Sequence, residues 1–203
     1  GATLLLEFHR DSYDRAHEPV RSELAITAAA SIANSIQQLG QQVGLVTNGR
    51  DAVDRIRQEG WDPEQQTRRA AREAVTMHEQ SDRLQPLIVE TRRDPEQFLR
   101  IREALARVEM TDGLTLAECA SETASQIPRD ATVIAIIPRV DVETVLVLSS
   151  LKRRGFAVLA ILNIHGENEF ADAAGGLLAH RIDCLHLAEE DSIRTICQQY
   201  ALR

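Results

Sequence analysis

Short apolar runs alternate with longer segments that carry apolar side chains on one helical face, and this alternation restricts the fold most. Five runs have the length and continuous apolar character of strands buried on both faces: 3–8, 43–47, 132–137, 156–162 and 182–187. Amphipathic helices are predicted at 18–40, 142–153, 167–179 and 191–200. Right-handed βαβ crossovers then give an α/β, three-layer, doubly wound, mostly parallel sheet. We expect 3–8 and 132–137 to be neighbours at its centre.

Three further segments complete the predicted elements. A short strand is predicted at 86–90, and helices are predicted at 94–109 and 114–128. The last of these begins with Thr115 and Glu118 at the spacing of a capping box.

Residues 51–82 differ in character from the rest of the chain. They are rich in Arg, Glu, Gln and Asp, and the helix predicted at 62–80 carries few large apolar side chains. Asp62 is placed to cap this helix, with Pro63 in its first turn. The sequence therefore predicts one domain over 1–203 with a helical insertion at about 51–82. The Gly-Ala start, without Met, indicates a piece of a longer protein.

Composition excludes several classes of partner. The formal net charge of −8 argues against a nucleic-acid surface or a basic membrane patch. No stretch approaches the roughly 20 apolar residues of a membrane span. Three scattered cysteines predict neither a zinc site nor a disulfide framework.

A cluster of polar residues follows the first strand, beginning with Glu7, His9, Asp11, Ser12 and Asp14. Ligands of open parallel sheets bind outside the carboxyl ends of the strands, so this cluster marks a candidate site. The simpler interpretation is local: Glu7 pairs with Arg10 or Arg139, and the others cap turns. No phosphate-binding loop, dinucleotide fingerprint or nucleophile elbow is present. A small hydrolase with Asp11 or His9 as its base is the alternative of another class.

Several longer motifs resemble a known family. They are "SELAITAAASIANSIQQLGQQVGLVTNG", "TDGLTLAECASETASQIPRDATVIAIIP" and "VLSSLKRRGFAVLAILN". In order and spacing they resemble the domain of unknown function 58 family, a von Willebrand factor A-like domain found beside bacterial MoxR-type AAA+ ATPases. The resemblance covers most of 3–190 and implies a protein-interaction module working with such an ATPase.

The family's metal-ion-dependent adhesion site is not preserved. Its D-x-S-x-S motif falls on Glu7, His9 and Asp11, and its later Asp falls on Pro138 or Arg139. Mg²⁺ requires near-octahedral oxygen ligands, which a longer carboxylate and an imidazole do not reproduce. We therefore expect a degenerate site without metal or cofactor. The alternative is a functional Mg²⁺ site held by Glu7, Asp11 and Thr115.

The sequence thus predicts a non-enzymatic, cytoplasmic interaction domain, whose parent protein is anchored to a membrane through a missing N-terminal segment. The predicted partner is a protein, with an AAA+ ATPase implied by the resemblance. Loops at the carboxyl edge of the sheet supply the predicted partner-binding residues: Asp11, Ser12, Asp14, Asn48, Asp112, Thr115, Arg139 and Asp141.

Overall fold

The computed structural model describes residues 1–59 and 84–201, which form a six-stranded sheet with helices on both faces. The strands of this sheet, in chain order, are β1 (Ala2–Leu6), β2 (Val43–Thr47), β4 (Leu87–Arg92), β6 (Thr132–Ile137), β7 (Ala157–Leu162) and β8 (Asp183–His186). A separate two-stranded ribbon pairs β3 (Arg50–Asp51) with β5 (Val108–Glu109). The helices are α1 (Val20–Gln38), α2 (Ala52–Glu59), α3 (Gln97–Arg107), α4 (Leu116–Thr123), α5 (Val142–Arg153), α6 (Glu167–Ala179) and α7 (Glu190–Ala201).

The order of strands across the sheet is β4-β2-β1-β6-β7-β8. All neighbours are parallel except β4, which runs antiparallel to β2 at one edge. The predicted central pair is confirmed, because Leu4 of β1 lies opposite Ile134 of β6. The five predicted strands all lie in this one sheet. The structure thus confirms an α/β fold with a mostly parallel central sheet.

Alternation along β1 divides the core into two layers. Leu4 and Leu6 pack with α1, α3 and α7 on one face, and Leu5 packs with α4, α5 and α6 on the other. All three leucines are fully buried. Because both faces are covered, the strand requires apolar residues at every position, which explains its unbroken apolar run.

Gly44 of β2 leaves room for a side-chain contact between β1 and β4. A Cβ atom at this position would lie 2.7 Å from the Thr91 backbone of β4. In the space above the glycine, the hydroxyls of Thr3 and Thr91 are 2.6 Å apart. The edge strand β4 therefore depends on the missing side chain for its close approach.

Some predicted boundaries were wrong. The helix predicted at 94–109 ends at Arg107, because Val108 and Glu109 pair with Arg50 and Asp51 in the ribbon instead. The helix predicted at 114–128 covers only Leu116–Thr123. Asp51, placed in the predicted insertion, belongs to the ribbon, while the helix predicted at 62–80 lies entirely outside the described residues. In the described part of the chain, no helix has the length and apolar character to cross a membrane.

Candidate partner-binding site at the carboxyl edge of the sheet

The loops that follow β1 and β5 lie side by side at the carboxyl edge of the sheet. Glu7 continues the line of β1, and its N–H donates to the carbonyl of Ile136 at 3.0 Å. Two residues later, His9 forms a parallel bridge with Thr111, and the N–H of Arg10 donates to the carbonyl of Thr111 at 2.8 Å. The first polar residues after β1 are therefore fixed by backbone pairing.

Glu7 is a charged side chain in a nearly closed position, with 5% of its surface exposed. Its Oε1 accepts the N–H of His9 at 3.0 Å and the side-chain amide of Asn48 at 2.9 Å. Burial raises the pKa of the Glu7 carboxyl, because the charged form loses its water, and these hydrogen bonds only partly oppose the rise. The ion pair to Arg10 or Arg139 offered by the sequence is not formed, since the donors described here are neutral.

Asn48 ties three loops together beneath the surface. Its Oδ1 accepts the N–H of Phe8 at 2.7 Å, and its Nδ2 donates to Glu7 and to the carbonyl of Leu114, each at 2.9 Å. Only 1% of Asn48 is exposed, so it does not meet a protein partner directly. Its predicted place among the contact residues is corrected on this ground: Asn48 positions the site from within.

A pocket of about 280 Å³ opens beside Glu7. Five of the predicted partner-binding residues line it: Asp11, Ser12, Thr115, Arg139 and Asp141. His9, Glu143 and Thr144 complete its polar wall, and of these Glu143 and Thr144 were not predicted. Sequence reasoning had a signal for them, because they occupy the first turn of a helix that begins at the same edge of the sheet.

Two helices begin at this pocket, and each is capped by its own side chain. Thr115 and Glu118 form the predicted capping box at the start of α4. At α5, Asp141 Oδ1 accepts the N–H of Thr144 at 2.8 Å, and Arg139 Nη2 lies 3.4 Å from Asp141 Oδ2. Burial disfavours the charged form of Asp141, but the hydrogen bonds from Thr144 and the nearby Arg139 outweigh it and lower its pKa.

Asp14 and Asp112, the other two predicted contact residues, do not line the pocket. Asp14 is exposed and caps a short 3₁₀ turn by accepting the N–H of Ala16 at 2.9 Å. Asp112 is exposed in the loop between Thr111 and α4. Both stand on loops that flank the pocket.

Three polar residues beneath the site are not among the predicted partner-binding residues. Tyr13 is 5% exposed, and its hydroxyl donates to the carbonyl of Glu7 at 2.8 Å. Asn163, after β7, donates to the carbonyl of Arg21 at 2.7 Å, and the Arg21 guanidinium donates to the carbonyl of Leu187 at 2.8 Å. A polar residue directly after a buried strand was the available signal for Asn163.

The residues of the Mg²⁺ alternative share the pocket, but Thr115 Oγ1 and Glu7 Oε1 already form hydrogen bonds within the protein. The Thr115 hydroxyl accepts the N–H of Glu118 and contacts its carboxylate at 3.0 Å. Glu7 Oε1 already accepts two N–H groups, so this oxygen is not free to serve as a metal ligand. Over residues 1–59 and 84–201, no group of three or more His, Cys, Asp or Glu side chains is placed to hold a metal ion. These residues do not fit the octahedral oxygen shell of Mg²⁺.

For the hydrolase alternative, the relevant geometry is the hydrogen bonding of His9, one of the two candidate bases. His9 Nδ1 accepts the N–H of Asp11 at 3.2 Å, which turns this ring nitrogen toward its own backbone turn. Ser12 lies near the Glu7 carboxyl and lowers its pKa. A general base requires a hydrogen bond to the group that it activates, and that nitrogen is occupied.

Apolar side chains stand beside this polar pocket. Val142, directly after Asp141, is 75% exposed, and Leu146, one turn further along α5, is 56% exposed. They share one face of α5, because residues four apart lie above one another on a helix. The edge of the sheet thus combines charged groups with a small apolar face.

The fold of this chain is similar to that of known structures. No protein-family model matches the sequence, and no curated protein does. Two crystal structures of the pilus adhesin SpaC from Lactobacillus rhamnosus GG are similar. One has a TM-score of 0.62 at 10% identity, and the open conformation has 0.59 at 11%. Each comparison covers 99% of this chain but 30% and 29% of the adhesin, so the chain spans less than a third of that protein.

Proposed function

We propose that this chain is a non-enzymatic protein-interaction domain that binds its partner with the carboxyl edge of its sheet. The observation that carries the proposal is the pairing of the Glu7 pocket with the exposed Val142 at the start of α5. Rigid strand ends hold the loops, and loops on a rigid scaffold are the usual carriers of binding groups.

The chemistry of this edge suits recognition of another protein. Interfaces combine an apolar contact with a polar, charged rim, and complementary charges select the partner and speed its encounter. Val142 and Leu146 supply the apolar contact, while Asp11 and Arg139 carry opposite charges on the rim. At about 280 Å³, the pocket is at the small end of the range typical of small-molecule sites.

The finer parts of the proposal rest on the resemblance described from the sequence. The site is then a degenerate form of the metal-dependent adhesion site of von Willebrand factor A-like domains, and the partner is a MoxR-type AAA+ ATPase in the bacterial cytoplasm. The strand order, with one antiparallel edge strand, is compatible with this assignment. A pilus adhesin among the similar structures also favours binding to a protein over catalysis.

Photo-crosslinking in cells tests the proposal. A photo-crosslinking amino acid is placed at Val142, and a matched one at Arg153, at the opposite end of α5. The two positions are separated by 11 residues, or about 16 Å along the helix. We expect irradiation to join Val142 to one discrete protein, identified by mass spectrometry, and to give no such adduct from Arg153.

Reversing the charges of the rim provides the control for specificity. With Asp11→Arg and Arg139→Glu in the same chain, the adduct from Val142 should be lost. Equal adducts from both ends of α5, or an adduct that survives charge reversal, would overturn the proposed binding face. Identification of the adduct as anything other than an AAA+ ATPase would overturn the choice of partner alone.

A further inference from the structure

We infer that the pocket beside Glu7 receives a positively charged side chain, a lysine or arginine of the partner protein. This inference rests on the proposed function and names the group that the site recognises. Three observations support it: the position of Glu7, the absence of a lysine or arginine paired with it among the described residues, and the size of the pocket.

Only 5% of the surface of Glu7 is exposed, yet its side chain lines an open pocket. The hydrogen bonds from His9 and Asn48 both end on Oε1, and Ser12 and the imidazole of His9 lie near enough to lower the pKa of the carboxyl. Among the described residues, no lysine or arginine forms an ion pair with it. A buried charge is costly unless it is paired, and a cation that enters the pocket would pair with the Glu7 carboxylate.

The other charges around the pocket give it a negative balance. Asp11, Asp141 and Glu143 join Glu7 as carboxylates, whereas Arg139 is the one arginine in its lining. Arg139 lies within ion-pair distance of Asp141, and no ion pair joins it to the other three carboxylates of the lining. Opposite charges across an interface select the partner, and here the complementary group is a cation.

An anion is the competing ligand, because two helices begin at the pocket and helix starts attract negative charge. At each start, however, a capping side chain already accepts one of the free N–H groups. Thr115 and Glu118 cap α4, and Asp141 caps α5. With these N–H groups occupied, the carboxylates dominate the field of the pocket.

The volume of about 280 Å³ favours a single side chain over a larger ligand. An ammonium or guanidinium group at the end of a flexible stem reaches Glu7 while the rest of the partner stays on the surface. Val142 and Leu146 then lie beside the entrance to contact the partner's backbone and neighbouring side chains.

Nuclear magnetic resonance titration of the whole chain tests the inference with defined probes. Four blocked tripeptides with Gly on each side of Lys, Arg, Gln or Glu are added at low salt. We expect the Lys or Arg peptide to shift the amide signals of His9, Ser12 and Thr144, with a Kd of about 1 mM or weaker for so small a ligand. The Gln and Glu peptides should leave these signals unchanged.

Removal of the buried charge gives the decisive comparison. Glu7→Gln keeps the shape and the two accepted N–H groups, and should weaken binding of the cationic peptide at least about tenfold. The matched variant Glu122→Gln, on the exposed surface of α4, should bind as the wild type does. Asp11→Asn removes a second carboxylate of the pocket at an exposed position, where the substitution does not disturb the core. We expect this variant to bind the cationic peptide about threefold more weakly.

The inference would be overturned if the Gln peptide gave equal shifts, if the Glu peptide gave stronger ones, or if no signal of the pocket shifted. It would also be overturned if neither Glu7→Gln nor Asp11→Asn changed the affinity of the cationic peptide. Its failure is separable from that of the proposed function. If the tripeptides do not bind but Val142 still crosslinks, the binding face stands and the cation is wrong. If the tripeptides bind but Val142 gives no adduct, the pocket holds a cation and the proposed face is wrong.

Discussion

Glu7 and Asn48 are the residues on which the site depends, and they act in different ways. Asn48 uses both ends of its amide to hold Phe8, Glu7 and Leu114, so its role is to fix the loops. Glu7 brings a carboxyl group into the interior, and among the described residues no lysine or arginine forms an ion pair with it. Proteins keep such a local cost where function requires it, and this places Glu7 among the candidate binding residues.

For Glu7→Gln, we expect a higher melting temperature than the wild type at pH 7, because the variant buries no charge. The folded-state pKa of Glu7 is raised by burial, so the wild type regains stability as the pH falls through that pKa. The gain is complete below the usual glutamate pKa of about 4.3. The difference in melting temperature between variant and wild type should therefore shrink from pH 7 to pH 4. A variant that melts well below the wild type at pH 7 would show that the charge is structural.

Asn48→Ala should lower the free energy of unfolding by about 3 kcal/mol, because it leaves the buried N–H of Phe8 and the carbonyl of Leu114 without partners. Urea unfolding measures the change. The control is Asn34→Ala on α1, at a half-buried helical position, where a change within about 0.5 kcal/mol is expected. Similar losses for both variants would contradict the role assigned to Asn48.

At the scale of secondary structure, the placement of each element follows from how much of it is buried. The unbroken apolar runs of β1 and β6 predicted their central position, since both faces of these strands are covered. The ends of α5 and α6 were predicted at their observed residues, Val142–Arg153 and Glu167–Ala179. In these elements local sequence and tertiary packing agree.

Elements formed by long-range pairing were not predictable in the same way. Val108 and Glu109 continue a helical pattern locally, but pairing with Arg50 and Asp51 across more than 50 residues moves them into a ribbon. The burial of Asn48 likewise depends on Phe8 and Leu114, which are distant in sequence. The sequence placed the loops of the site at one edge, but the hydrogen bonds that decide which side chains face outward come from tertiary contacts.

Gly44→Ala tests how the edge strand β4 is held. The added Cβ would meet the Thr91 backbone at 2.7 Å, so β4 must move away from β2 and stability should fall by about 2 kcal/mol or more. Gly175→Ala is the matched control, because a Cβ there has open space within α6. This control should gain about 0.5–1 kcal/mol from helix propensity. Thermal unfolding of both variants measures the contrast, and a neutral Gly44→Ala would contradict the packing described for β4.

At the scale of the whole molecule, the rim at the carboxyl edge combines a polar pocket with an apolar face, while the chain carries a net charge of −8. We propose that this rim binds a protein partner.

The most direct measurement is the affinity of the partner identified by crosslinking for two charge-reversed forms of the chain. One form carries Asp11→Arg and Arg139→Glu at the rim. The other carries Glu122→Arg and Arg153→Glu on exposed positions near the distal ends of α4 and α5, and both forms keep the net charge. Because reversed charges meet like charges on the partner, we predict at least about tenfold weaker binding for the rim form and a change below about threefold for the distal form. Unchanged affinity for the rim form, with loss of binding by the distal form, would contradict the account.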